Sequence, residues 1–314
     1  MKLRIQHETV YSYSRNVRFG PHRLVIRPRE GHDLRVESMN LTSSPAAEVT
    51  WTRDVFGNSI ATLYFPRKPA KELRIASDVV TTRTAPYQHR KHDTEPTPWP
   101  PVYDPLEIAV VAAYQQLSYP ADAGAVGRWL KMHCVKRPDD VEAIVRQLNG
   151  CIHDQIRYVR REEKGVLTPA QTIKRGVGSC RDFATLLLDA ARSLNIAARF
   201  ASGYLECTAA EAGYASTHAW VEIYLPGHGW RGYDPTLGTP TTQAHVATGL
   251  SNHPRGVMPV TGSFYGSASA FREMKVTVQL RQEETTPPFP MVTTAPVLGP
   301  GPAARKPQIG RAHV

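Results

Sequence analysis

Three observations predict an α+β chain with an N-terminal antiparallel β-sandwich-like domain and a mixed core behind it. Residues 1–85 alternate apolar and polar side chains between turn-forming clusters. Residues 106–160 switch to apolar positions at i, i+3 and i+4. Beyond the Leu- and Ala-rich run "CRDFATLLLDAARSLN" at 180–195, alternation returns. A cysteine-bearing helix packed on an antiparallel sheet is the expected core.

The front strands are read in "KLRIQHETVYSY", "HRLVIRPR", "LRVESMNLTS", "EVTWTRD", "SIATLYFP" and "ELRIASDVVTT". Turn residues separate them, as in Arg29-Glu30-Gly31-His32 and Phe56-Gly57-Asn58. Short strands at this spacing suit a sandwich spanning residues 1–90. The Pro-rich "HDTEPTPWPPVYDP" at 92–105 cannot lie inside a helix, so residues 91–105 are expected to be a linker. A second domain is then expected over 106–285.

Within it, "PLEIAVVAAYQQLS" and "DDVEAIVRQLNGCIHDQIRYV" read as helices, with Asp139 and Asp140 placed to cap the second. "AARFASGYLE", "HAWVEIYL", "GWRGYDPT" and "FREMKVTVQLRQ" read as strands. Residues 286–314 are rich in Pro, Thr and Gly, lack the apolar bulk to offset ordering entropy, and are expected to be a mobile tail.

Composition narrows the function classes. With 41% hydrophobic residues the chain can bury a core. The formal charge of +10 is carried mostly by dispersed Arg, with one dense stretch, "QHRKHD" at 88–93. That pattern is a solvated surface rather than a nucleic-acid footprint. The N-terminus shows no apolar signal-peptide core, and no apolar stretch approaches the roughly 20 residues of a membrane span. A reducing cytoplasm is the expected location, with Cys134, Cys151, Cys180 and Cys207 as free thiols. Their scattered spacing is not a disulfide framework, and Cys151-Ile152-His153 lacks a second ligand pair, so no metal is expected.

Cys180 is the informative cysteine. Gly176, Gly178 and Ser179 permit a tight approach to the helix that it opens. Phe183, Leu186, Leu187, Ala190, Ala191 and Leu194 give that helix a broad buried face. At the first turn, unpaired N–H groups and the positive end of the macrodipole favour an anion. A thiol there ionises more readily, and the same N–H groups can bind an oxyanion. The alternative is a small residue needed where helix meets sheet, and Cys180 by itself does not choose.

Two strands downstream favour chemistry. In "HAWVEIYL", His218, Trp220, Glu222 and Tyr224 share one face. In "GWRGYD", Trp230, Gly232 and Asp234 share one face. A three-residue loop, Pro226-Gly227-His228, sets Leu225 opposite Gly229 and brings Asp234 diagonal to His218 on one face. A plain four-residue loop would turn the carboxylate away. Cysteine, histidine and aspartate then form a nucleophile, a base and its orienter.

The segment "GVGSCRDFATLLLDAARSLNIAARFASGYL … HAWVEIYLPGHGWRGYDPTLG" resembles the transglutaminase-like (papain-like) cysteine enzymes, in the bacterial branch whose members are described as candidate cysteine proteases. The G-x-C-x-D helix start, the H-A-W strand and the G-W-x-x-x-D-P-T strand occur in that family's order. The front segments "YSYSRNVRFGPHRLVIRPR" and "DVFGN" resemble the branch's N-terminal domain. The resemblance implies a transglutaminase-like catalytic domain over 106–285, with Cys180 as nucleophile, His218 as general base and then acid, and Asp234 orienting the imidazole. It implies attack on an amide of a peptide or protein, a thioester, and release by water or an amine, without metal or organic cofactor. Protease or amidase chemistry is the first expectation. Transglutaminase chemistry and a non-enzymatic anion- or nucleic-acid-binding module are the alternatives. Many relatives carry Gln after the nucleophile, where this chain has Arg181, a cation beside the thiol. Asp182 suits the helix cap. Trp220 and Tyr158 are the expected substrate-binding residues, and Tyr158 is also a candidate second oxyanion donor.

Overall fold

The computed structural model describes residues 2–84, 96–133, 138–159, 165–206 and 216–283. Cys134, Cys207, residues 91–95 of the expected linker and the Pro-rich segment 286–314 lie outside the described residues.

In chain order the elements are β1 (Lys2–Leu24), β2 (Leu34–Ser44), β3 (Glu48–Arg53), β4 (Ser59–Tyr64), β5 (Ala70–Arg83), α1 (Ile108–Gln115), α2 (Ala123–His133) and α3 (Val141–Gln155). There follow β6 (Arg157–Tyr158), α4 (Pro169–Arg175), β7 (Val177–Gly178), α5 (Cys180–Arg192), β8 (Ala198–Leu205), β9 (Ser216–Leu225) and β10 (Gly229–Asp234). The last are β11 (Thr239–Pro240), β12 (His245–Ser251), β13 (Val260–Tyr265) and β14 (Phe271–Glu283).

The long β1 organises the front. Its first half pairs antiparallel with β5, from Lys2↔Thr82 to Ser12↔Glu72, and with β14, from Lys2↔Glu283 to Ser12↔Glu273. The register shifts after Ser12, and the second half pairs with β4 and β13. One strand thus carries four antiparallel pairings, and Tyr13, Val17, Phe19, Leu63 and Leu73 join in one apolar cluster.

This pairing corrects the expected domain boundary. Residues 260–283, read as part of the catalytic segment, complete the front sheet instead. The front has an apolar cluster of its own but is not packed apart from the rest: Val25 and Ile60 join the apolar cluster that contains α5. Asn58 reinforces the join, donating to Leu250 O at 2.7 Å and accepting from Leu250 N at 2.9 Å. Period-two alternation marks a strand but carries no information about its partner.

The second sheet has the order β11-β10-β9-β8-β12, all antiparallel. The apolar face of β9, with Val221 and Ile223, packs with Leu186 and Leu187 of α5 and Leu148 and Ile152 of α3. α3 starts where Asp140 accepts from Ala143 N at 2.8 Å. α5 is buried along Asp182–Arg192, so it is a central helix rather than a surface one. Each fully buried Leu contributes about 1.5–3 kcal/mol. Its polar residues are satisfied: Asp189 accepts from Ser118 N and Tyr119 N, and Arg192 donates to Ala198 O, Gln116 O and Asn252 O. Among the described residues, no helix is long and apolar enough to cross a membrane.

Candidate active site

The approach to Cys180 is built by local chemistry. α4 ends at Gly176, whose φ of 61° is left-handed and suits glycine. Two residues later, a Cβ on Gly178 would lie 2.9 Å from Asp182 Cβ, so only glycine fits there. Ser179 is the N-cap of α5 and Cys180 its first residue. Asp182, fully buried, reaches back to accept from Ser179 N at 2.8 Å and Ser179 Oγ at 2.9 Å. Its other oxygen accepts from Leu167 N at 2.7 Å. Asp182 is therefore the structural cap of the cysteine helix. Asp182→Ala strands these buried donors and is expected to lower stability by about 2–4 kcal/mol. A urea midpoint equal to that of the unchanged protein would refute this role.

β9 and β10 bring the other two groups. Their hairpin turns through Pro226, Gly227 and His228, with Gly227 and Gly229 at φ of 76° and 77°. Its register runs from Gly229↔Leu225 to Tyr233↔Val221. Asp234, the last residue of β10, thereby falls on the His218 side. Its Oδ2 lies 2.7 Å from His218 Nε2. Its Oδ1 accepts from Thr236 N at 2.8 Å and from Leu237 N at 3.4 Å. His218 Nε2 being engaged by Asp234, Nδ1 is the ring nitrogen left for the Cys180 thiol.

The charges are coupled. Burial pushes the Cys180 thiol up, but the hydrogen bond and charge of His218, and then the charge of Arg181, outweigh it and hold the thiol below its ordinary value. Burial opposes the charged form of His218, yet Asp234 and the thiolate raise its pKa well above that of a free imidazole. Burial also opposes ionisation of Asp234, but donation from His218 and then His245 holds it far below the ordinary carboxylate range. The arrangement favours a thiolate–imidazolium pair backed by a carboxylate.

His245, at the start of β12, was not singled out from the sequence. Its Nε2 lies 3.1 Å from Asp234 Oδ2. A lone histidine opening a strand gives no local signal of such a contact. His218 Nε2, Asp234 Oδ2 and His245 Nε2 lie within 4.8 Å of one another, a donor set that could hold a divalent metal. Both Nε2 atoms, however, point at one carboxylate oxygen at hydrogen-bonding distance, so each carries a proton where a metal needs a lone pair.

Trp220 requires a correction. Its ring is 2% exposed, lies nearly parallel to His218 at 6.4 Å and is edge-on to His245 at 5.2 Å. It packs beneath the imidazoles and presents no surface to a substrate. Gly203, opposite His218 on β8, makes room: a Cβ there would come 2.9 Å from Trp220 Cη2 and 2.0 Å from Val246 O. Tyr158 stands at the margin, 48% exposed, on β6 opposite Gly178 and edge-on to Phe183. Arg181 turns inward, donating to Ser202 Oγ at 2.8 Å and Val257 O at 3.1 Å. It ties the helix start to β8 while leaving its charge beside the thiol. Cys151 lies elsewhere, its Sγ donating to His133 O. Its neighbour His153 contacts Thr236 O, so the two do not converge on one ligand.

Two family patterns cover this chain in sequence. The "Bacterial transglutaminase-like N-terminal region" matches residues 3–82, and the "Transglutaminase-like superfamily" matches residues 130–235, which include Cys180, His218 and Asp234. Residues 130–235 carry a transglutaminase-like core, and residues 3–82 match the N-terminal region of its bacterial members. Among relatives of this transglutaminase-like protein, an uncharacterized protein of Mycobacterium tuberculosis is 27% identical over 287 residues, 84% of this chain and 88% of that one. One of Mycobacterium leprae is 23% identical, over 89% of this chain and 98% of that one. A solved structure, a candidate cysteine protease from Cytophaga hutchinsonii, superposes with a TM-score of 0.69 at 17% identity, over 91% of this chain and 93% of that one. The transglutaminase-like core and its β-rich front therefore share that structure's fold.

Proposed function

We infer that the protein is a thiol acyl-transfer enzyme that cleaves an amide bond in a peptide or protein, as a cysteine protease or amidase. The observation that carries this reading is the 2.7 Å contact between Asp234 and His218 Nε2, which leaves Nδ1 for a cysteine at a helix N-terminus. The Cys180 thiolate attacks the carbonyl carbon, and the Cys180 N–H at the helix start faces the developing oxyanion. Tyr158 at the margin is the candidate for a second donor and for substrate contact. His218 Nδ1–H gives its proton to the departing amine nitrogen as the C–N bond breaks, leaving a thioester. Water then attacks, His218 Nδ1 takes its proton, and the carboxylate leaves as the thiolate re-forms. An amine in place of water would give transamidation by the same steps. A reducing cytoplasm, which keeps thiols free, suits this chemistry.

The test is selective alkylation. An ordinary thiol is about 0.3% ionised at pH 6. Cys180 is held below that ordinary value, so its thiolate persists to lower pH than that of an unperturbed thiol. Iodoacetamide at pH 6 is expected to modify Cys180 about 10- to 100-fold faster than Cys134, Cys151 or Cys207. His218→Ala removes the partner cation and is expected to slow that reaction at least about tenfold. Peptide mapping by mass spectrometry reads both. Equal labelling of the four cysteines in the folded protein would make Cys180 a structural thiol and end this reading. A peptide panel offered with and without an amine then separates hydrolysis from transamidation.

A further inference from the structure

We propose that His245 is a positioning residue, a second imidazole that locks the Asp234 carboxylate onto His218. The proposal rests on the acyl-transfer reading above and concerns a residue outside the Cys180–His218–Asp234 set.

Asp234 Oδ2 accepts from two rings at once, His218 Nε2 at 2.7 Å and His245 Nε2 at 3.1 Å. With Thr236 N and Leu237 N on Oδ1, both carboxylate oxygens are occupied and neither can rotate free. The tautomer of His245 is set from its other side. Thr242 N–H donates to His245 Nδ1 at 3.1 Å, so Nδ1 is an acceptor and the ring proton sits on Nε2, facing Asp234. The ring is anchored by its own backbone: His245 N donates to Thr242 O, and Arg83 from the front sheet donates to His245 O at 3.2 Å. Trp220 packs against both imidazoles. The result is a directed chain. Thr242 N–H donates to His245, His245 and His218 both donate to Asp234, and His218 faces Cys180.

The second donor does two things. It holds Oδ2 in the line of His218 Nε2, and it disperses the carboxylate charge without competing for the thiol. Deleting it leaves Oδ2 with His218 as its one remaining donor and removes the restraint on the far side of that oxygen.

Two substitutions separate positioning from mere packing. His245→Phe and His245→Gln both remove the acceptor of Thr242 N–H, but only Gln keeps an N–H that can reach Asp234. Both are expected to lower Tm by similar amounts. In the pH dependence of Cys180 alkylation, His245→Phe is expected to move the acid limb up by about one pH unit, a roughly tenfold slower reaction at pH 6. His245→Gln is expected to stay within about threefold of the unchanged protein. Alkylation that falls equally in both variants, in step with Tm, would reduce His245 to packing and overturn the proposal. Two profiles identical to the unchanged protein would overturn it as well, while leaving the acyl-transfer reading intact. An ordinary thiol profile in the unchanged protein would overturn both. Should either variant fail to fold, ¹⁵N NMR of the histidine rings of the unchanged protein decides. The Nε2–H tautomer of His245 is expected, and an Nδ1–H tautomer would refute the proposal.

Discussion

Cys180→Ala is expected to lower amide turnover by about 10⁴–10⁶-fold, because it removes the thiol that forms the thioester in the proposed mechanism. The fold should tolerate the change. Cys180 is half-buried, and the helix start is held by Ser179 and Asp182 rather than by the sulfur. His218 and Asp234 keep their 2.7 Å contact in the variant, so the base and its orienter remain. Residual activity would then report binding and oxyanion stabilisation alone. Two measurements check this: initial rates on a cleaved peptide, and mass spectrometry for the acyl adduct. The adduct should be present in the unchanged protein and absent from the variant. Turnover within tenfold of the unchanged protein would place the nucleophile elsewhere.

Asp234→Asn is expected to reduce turnover by about 10³–10⁴-fold while slowing alkylation of Cys180 far less. An asparagine has one acceptor oxygen, whereas Asp234 uses two. Either the imidazole donors of His218 and His245 or the backbone donors of Thr236 and Leu237 lose their partner. The proton on His218 Nε2 then has no anion to face, and the tautomer that leaves Nδ1 free for the thiol is no longer preferred. Thiolate formation also draws on the helix N-terminus and Arg181, so it survives better than proton transfer. The same variant has a signature in acid stability. The folded-state pKa of Asp234 lies below the unfolded value of about 4. Its contribution is therefore complete above pH about 4 and is lost as pH falls from there towards the folded value. The Tm gap between the unchanged protein and Asp234→Asn should narrow between pH 4 and pH 2.5. A constant gap would mean that the carboxylate is not held ionised by its neighbours.

The site is legible in sequence where its geometry is local. The Gly178-Ser179-Cys180-x-Asp182 spacing specifies a capped helix start, since the cap bonds span three residues. The loop Pro226-Gly227-His228 specifies the register of β9 and β10, and with it the face on which Asp234 lies. Where a contact crosses the fold, the sequence is silent. His245 reaches Asp234 from β12, which in the sheet is separated from β10 by β9 and β8, and its backbone is held by Arg83 of the front. Trp220 shares a face with His218 by alternation, but only the approach of Gly203 and His245 shows that this face is buried there. Arg181 reads as a cation beside the thiol, and only the positions of Ser202 and Val257 decide that it points inward.

By itself the sequence determined the strand and helix periods, the head of the cysteine helix, the hairpin that carries His218 and Asp234, and the family motifs. Each of these rests on hydrogen bonds and side-chain spacing within a few residues or one turn. The tertiary structure alone decided that β13 and β14 complete the front sheet, that Val25 and Ile60 pack into the core of α5, and that a second histidine holds the carboxylate. Those outcomes depend on which apolar faces find each other at long range, and alternation leaves that choice open until the whole chain has buried its core.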